Sequence, residues 1–222
     1  MTSSLSPRLL ACCRFVTPGA RVADVGCDHG YLGIHLLENN IASFVYAADV
    51  NREPLQSAVA NSKRYGLQDK MQFFLSDGVQ AVPHDFDTLV CAGMGADTMI
   101  SILQAAPWLK DCHYRLILQC QSKTHCLRKY ISDTGYRITE ETVLRDGRFL
   151  YTVMVVAYAP GTPLSPGGCY VSPALQSKKT AEASAYYQQV LFHLEKAVTC
   201  QKDAADPWMV QAFQELKKGS PL

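Results

Sequence analysis

The chain of 222 residues holds nine cysteines but no Cys-x-x-Cys pair, and the cysteines are scattered rather than clustered. That pattern argues against a disulfide framework and against a zinc site, and it fits a reducing cytoplasm. Charge of one sign is not in excess: 21 lysines and arginines against 20 aspartates and glutamates leave a net +1. The total therefore demands no nucleic-acid partner, although a basic face can hide in a balanced sum. No apolar run approaches the ~20 residues that would cross a bilayer, and the stretch Met1 to Leu5 lacks the charged segment and apolar core of an export signal. A Walker loop, a Ser-His-Asp arrangement and a cluster of metal ligands are missing too, so phosphoryl transfer, hydrolysis and zinc chemistry have little support and no metal is expected. There is no internal repeat and no low-complexity tract.

What is present is 48% hydrophobic sequence in an alternating order. After an amphipathic segment from Leu5 to Val16, short apolar runs at 21–27, 44–50, 71–76, 88–92 and 115–119 read as strands. Between them 31–38, 54–65, 97–105 and 124–134 carry helical spacing. Such alternation predicts an α/β fold, a doubly wound Rossmann-like parallel sheet covered on both faces. Residues 136–144 then alternate polar and apolar side chains, Asp146-Gly147 signals a turn, and 149–158 is β-rich, so an antiparallel hairpin closes the sheet. That ending is expected of methyltransferases, where a dinucleotide dehydrogenase would continue with another crossover. Pro160 to Gly168 reads as a linker, followed by two helices, the second over 208–218, that form a helical hairpin. The expected division is residues 1–160 as one domain and 161–222 as linker and helical appendage.

The chemistry gathers at predicted strand ends. The first loop runs Asp24-Val25-Gly26-Cys27-Asp28-His29-Gly30, with Gly26 and Gly30 placed to bring backbone N–H groups close to a ligand at a helix N-terminus. A tight turn with no ligand has the same appearance. Asp49-Val50 ends the second strand about 20 residues on, where a carboxylate can accept from ribose hydroxyls or simply cap the following helix. Asp77-Gly78 ends the third, where the acid can accept from an adenine amino group or serve a turn. Gly93-Met94-Gly95 follows the fourth, leaving room for a flat base, or letting Met94 fill core. His29 is either a packed or capping residue or a catalyst. Three acids at successive strand ends suit an adenosyl group, so S-adenosylmethionine (SAM) is the expected cofactor.

Those three loops, with Leu118-Gln119-Cys120-Gln121, Leu127-Arg128, Tyr136 and Val171-Ser172-Pro173-Ala174-Leu175, closely resemble the bacterial tRNA (adenine-22-N1)-methyltransferase family. The pairing of Asp28-His29 with Gly93-Met94-Gly95 is the specific part. The sequence departs from the family at Cys27, at Gly33 in place of a common proline, at Ala96 in place of glycine, and at Gln119-Cys120-Gln121 in place of Gln-Pro-Asn. The resemblance implies methyl transfer from SAM to N1 of adenine 22 of tRNA, with Asp28, His29, Gly93, Met94 and Gly95 at the reacting centre. It places Asp24, Gly26, Cys27, Asp28, Gly30, Asp49, Val50, Asp77 and Gly78 on the cofactor. Arg8, Arg14, Gln119, Gln121, Lys123 and Arg128 are the expected substrate contacts, with Lys129, Lys178 and Lys179 as further basic candidates against a background of ordinary solvated surface. A cytoplasmic protein with tRNA as partner is implied, with a monomer favoured and the oligomeric state left open. Methylation of another RNA position or of a small molecule, and a non-catalytic SAM- or RNA-binding role, are the alternatives.

Overall fold

The structure is a computed structural model that describes residues 5–201 and 206–219; residues 1–4, on which most of the export-signal expectation falls, lie outside the described residues. Ser6-Pro7 opens α1 (Pro7–Cys13): the serine hydroxyl accepts from the Leu9 N–H, and proline at the first helical position has no N–H to leave unpaired. The chain then alternates β1 (Ala20–Val25), α2 (Tyr31–Glu38), β2 (Ala42–Asp49), α3 (Arg52–Arg64), β3 (Met71–Leu75), β4 (Thr88–Met94), α4 (Ala96–Ala105), β5 (Arg115–Cys120) and α5 (Thr124–Asp133). The hairpin β6 (Tyr136–Asp146) and β7 (Phe149–Tyr158) completes one seven-stranded sheet of order β3-β2-β1-β4-β5-β7-β6. The first five strands are parallel, and β7 runs antiparallel to both β5 and β6. This is the expected Rossmann-like methyltransferase sheet closed by a hairpin.

Because successive strand residues face opposite ways, each central strand feeds two cores. Ala23, Leu89, Cys91, Leu116 and Leu118 pack with α4 and α5 on one face. Val22, Val45, Val90 and Ile117 pack with α1, α2 and α3 on the other. Each large apolar side chain fully buried this way is worth roughly 1.5–3 kcal/mol. Among the described residues no helix is long and apolar enough to cross a membrane.

The expected linker is shorter than Pro160 to Gly168. Ser165-Pro166 is a second cap-and-proline start, with the Ser165 hydroxyl accepting from the Gly168 N–H, and it opens α6 (Pro166–Tyr170). Gly167 and Gly168 are buried there because the helix lies close against α9 (Pro207–Gly219): a Cβ on Gly167 would fall 2.8 Å from Glu215 Oε2, which instead accepts the Gly167 N–H at 2.8 Å. Ser172-Pro173 repeats the start for α7 (Pro173–Gln176), and α8 (Ala181–Gln201) pairs with α9 as the helical hairpin. A third apolar cluster joins these helices to β6 through Val143, Val171, Leu175, Tyr187, Leu194 and Leu216.

Arg128 corrects a second expectation. It does not face solvent, where a phosphate could reach it, but is fully buried, with Nη2 2.6 Å and Nε 3.2 Å from Glu141 Oε1. Its Nη1 donates to the carbonyls of Cys169 and Tyr170, its Nη2 to the Tyr186 hydroxyl, and Ser172 Oγ donates to the other Glu141 oxygen. Burial works against the guanidinium charge, but the Glu141 carboxylate more than offsets it, and the net shift is upward. Removing one partner of such a pair strands the other, so Glu141→Ala should cost roughly 3–5 kcal/mol, read as a lower Tm with faster hydrogen exchange in α6 and α8. Replacing both at once, Arg128→Met with Glu141→Leu, should recover most of that loss.

Candidate active site

The first loop is shaped by backbone that few residues tolerate. Gly26, Asp28 and Gly30 all have positive φ, at 70°, 50° and 73°. At Gly26 the positive φ disfavours any side chain, and the Met94 thioether methyl fills the space a Cβ would take. The loop is tied to its neighbours: the N–H groups of Gly26 and Cys27 both donate to the Ala48 carbonyl, Asp28 N–H donates to Asp49 Oδ2 at 3.0 Å, and Asn61 Nδ2 donates to the His29 carbonyl at 3.0 Å. Asp49 Oδ1 accepts the Asn51 N–H at 2.8 Å, so this buried carboxylate holds the loop and the entry to α3 together.

Asp24 is 3% exposed, and its Oδ2 is one of three buried side-chain polar atoms without a hydrogen-bond partner among the described residues. Burial raises its pKa from an ordinary 3.8 to about 7; the Gly33 N–H opposes that rise, and the Asp49 charge adds to it. The unfolded chain releases this proton near 3.8 and the folded one holds it to about 7, so the group lowers stability as pH rises across that interval and no further above it. An unpaired buried carboxylate is a receptor for a cation.

Two of the large apolar side chains that stay exposed, Val50 (65%) and Leu75 (47%), sit at the ends of β2 and β3. Asp49 pairs with Leu75 across the two strands and Asp77 follows two residues later, so exposed apolar side chains and carboxylates share this edge of the sheet. At the end of β4, Gly93 (φ 81°) interrupts the pairing with β5 between Ala92 and Met94, and its N–H donates to Gln119 Oε1 at 3.1 Å. Gly95 caps α4, with the Ser122 hydroxyl 3.0 Å from where a Cβ would stand.

The first loop, the starts of α1 and α2 and the ends of β4 and β5 line a cavity of about 300 Å³. Of the expected residues, Asp24, Gly26, Cys27, Asp28, His29, Gly93, Gln119, Gln121 and Arg8 line it. Asp28 lies at its edge, 69% exposed at the side chain, with Oδ1 3.5 Å from His29 Nε2. Asp49, Val50, Asp77 and Gly78 lie at adjoining strand ends, while Gly30, Met94 and Gly95 shape the loops without lining the cavity. Arg14 is exposed at the end of α1, Lys123 pairs with Asp97 at 2.8 Å, Lys129 pairs with Asp133, and Lys178 and Lys179 line a separate cavity beside α8. Sequence reasoning missed Ser6, Leu9, Tyr31, Leu32 and Ala92 of the lining. Tyr31, directly after Gly30, carried a positional signal. Among the described residues no group of three or more His, Cys, Asp or Glu is arranged to hold a metal.

Comparison with known proteins adds a second line of observation. The family model described as a methyltransferase domain matches residues 5–154. The Bacillus subtilis tRNA (adenine(22)-N(1))-methyltransferase is 29% identical over 96% of this chain and 92% of its own. A Streptococcus pneumoniae structure in complex with S-adenosyl-L-methionine, a candidate tRNA (m1A22) methyltransferase, is 30% identical, with a TM-score of 0.84 over 97% of this chain and 99% of that one. The crystal structure of the B. subtilis M1A22 tRNA methyltransferase TrmK gives 26% identity and a TM-score of 0.81 over 97% and 95%.

The orphaned Asp24 oxygen, the side-chain-free approach at Gly26 and the apolar surface at Val50 and Leu75 fit a nucleoside with a cationic tail. A cation facing Asp24 favours its ionised form. Calorimetric titration with SAM at pH 6.5, in buffers of different ionisation enthalpy, should therefore show proton release. Asp24→Asn should abolish the release and weaken binding by about tenfold or more.

Proposed function

Because the chain belongs to the methyltransferase-domain family, within its tRNA (adenine-22-N1)-methyltransferase branch, we propose that it transfers the methyl group of SAM to N1 of adenine 22 of tRNA. The observation that carries this is the cavity in which the Asp24–Asp28 loop faces Gly93 and Gln121 at the carboxyl edge of the parallel sheet, where ligands of this fold class collect.

When bound, SAM supplies a methyl on a positively charged sulfur: the N1 lone pair forms the new N–C bond as the C–S bond breaks, leaving a neutral thioether and a cationic base. Neutral adenine needs no proton removed from N1, so the protein's task is positioning and charge. Asp24 would hold the ammonium of the cofactor, Asp49 and Asp77 its ribose and adenine, and Val50 and Leu75 would cover the flat ring. Asp28, held with positive φ by the Asp49 bond to its N–H, presents a carboxylate at the cavity edge that can stabilise the positive charge developing on adenine. The Gly93 turn, held open by Gln119, leaves space for the base, and Gln121 offers an amide to its pairing edge. His29 beside Asp28 orients that carboxylate or meets the RNA.

We also read residues 1–160 as the catalytic unit and 161–222 as a helical unit that helps hold the RNA, in a cytoplasmic monomer. Support for the compartment comes from the cysteines, all nine of which are free thiols. Support for the division comes from the third apolar cluster, which belongs almost wholly to the C-terminal helices.

Incubation with labelled SAM and bulk tRNA, followed by reverse-transcription mapping and nucleoside mass spectrometry, should give 1-methyladenosine at position 22 and nowhere else. Asp28→Asn should lower kcat by about ten- to a hundredfold with SAM affinity within a few-fold of the parent, the signature of a group used mainly in the transition state. Full turnover in that variant would exclude the assigned role.

A further inference from the structure

The antiparallel pairing of β7 with β5 has a geometric consequence for the cavity. Leu118 lies opposite Met154, and β5 ends two residues later at Cys120, whereas β7 extends five residues beyond Met154 to Phe149. The hairpin tip therefore projects three residues, about 10 Å, past the carboxyl edge of the sheet on the side where the cavity opens. A direct contact links the two: Arg8 lines the cavity, donates to Asp146 at 2.8 Å and lies over the Tyr151 ring.

The composition of this tip is not what a free hairpin end needs for folding. Phe149 is 53% exposed, its ring 5.0 Å from the Arg148 guanidinium and 6.2 Å from the Tyr151 ring. Arg145 and Arg148 are exposed, and neither has an ion pair among the described residues. The one acid of the turn, Asp146, is already neutralised by Arg8. Unpaired guanidinium groups flanking an exposed aromatic face are the equipment with which proteins hold phosphates and stack bases.

The proposed reaction supplies a task for that equipment. N1 lies on the pairing edge of adenine, so the base must be withdrawn from any partner before it can be methylated, and the stack it leaves must be held open. We infer that the β6–β7 tip is an RNA-binding element in which Arg145 and Arg148 grip phosphates beside the target nucleotide while Phe149 stacks on the base exposed when adenine is withdrawn. This rests on tRNA being the substrate.

The test uses the full chain and two readouts. In titrations with tRNA over a range of salt, the double variant Arg145→Ala with Arg148→Ala should bind about tenfold more weakly at 0.1 M salt. Its salt dependence should be shallower by ~2 in log–log slope, one for each phosphate that is no longer neutralised. Under single-turnover conditions Phe149→Ala should be about tenfold slower on intact tRNA and regain the parent rate on tRNA with an abasic residue facing adenine 22. Phe149→Trp, which keeps a stacking face, should retain the rate on both. Unchanged affinity and slope in the double variant would overturn the phosphate role, and equal slowing on both RNAs, or none, would overturn the stacking role. If the parent protein methylates no tRNA while the double variant still loses affinity, the proposed reaction fails and the RNA-binding tip stands.

Discussion

The arrangement of the whole molecule depends on one guanidinium without access to water. Arg128 cannot be buried as an isolated cation, since the cost of stripping its hydration runs to several kcal/mol, so each of its donors must be met by an acceptor held at the right place. The acceptors come from β6 (Glu141), from the C-terminal end of α6 (the carbonyls of Cys169 and Tyr170) and from α8 (Tyr186). Apolar packing alone would let the helical hairpin slide over the sheet. A bonded charge permits one docking, and it fixes the C-terminal helices relative to α5, whose first turn follows closely on Gln121 at the cavity.

The same residue marks where sequence reasoning stops. Leu127 and Ile131 have core spacing on α5, and Arg128 with Ser132 repeats it one residue later, so a wider buried face was visible in principle. Its partner was not. Strict alternation from Tyr136 puts Ile138 and Glu140 inward with it, yet the pairing with β7 shifts between Ile138 and Glu140. That irregularity reverses the phase of the strand and turns Glu141 and Val143 to the interior. No residue type announces a bulge there. The Ser-Pro starts are legible and are masked for a different reason: Pro160, Gly161, Pro163 and Gly167 read as uninterrupted breakers, although serine before proline is also how α1 and α7 begin.

The strand ends were easier because each carries its own signal, an acid or a glycine after an apolar run. What sequence could not show is how the acids divide their labour. Asp49 spends both oxygens on backbone N–H groups and works first as the bolt of the loop, whichever ligand it also meets. Asp24 keeps one oxygen unpaired in a buried site, and Asp28 remains mostly in solvent. Three aspartates of one residue type thus present a spring-loaded receptor for a cation, a structural tie and a solvated charge, a difference set by burial and partners alone.

Gly33 shows how a departure from the family pattern enters this electrostatics. The family resemblance implies proline here, and proline has no N–H, whereas the Gly33 N–H in this chain favours the ionised form of Asp24 and draws its pKa downward. A side chain would also make its neighbours shift, since a Cβ would stand 2.9 Å from Val45 Cγ1 and 3.0 Å from Met71 Cε. The glycine therefore lets α2 close on β2 and gives the buried carboxylate a share of the stabilisation that a bound cation would otherwise supply alone. The pKa of about 7 is the balance of that donor against complete burial. It leaves Asp24 partly protonated near neutral pH and ready to ionise when a cation arrives, with burial the larger influence and a backbone N–H in the first helix after the loop opposing it.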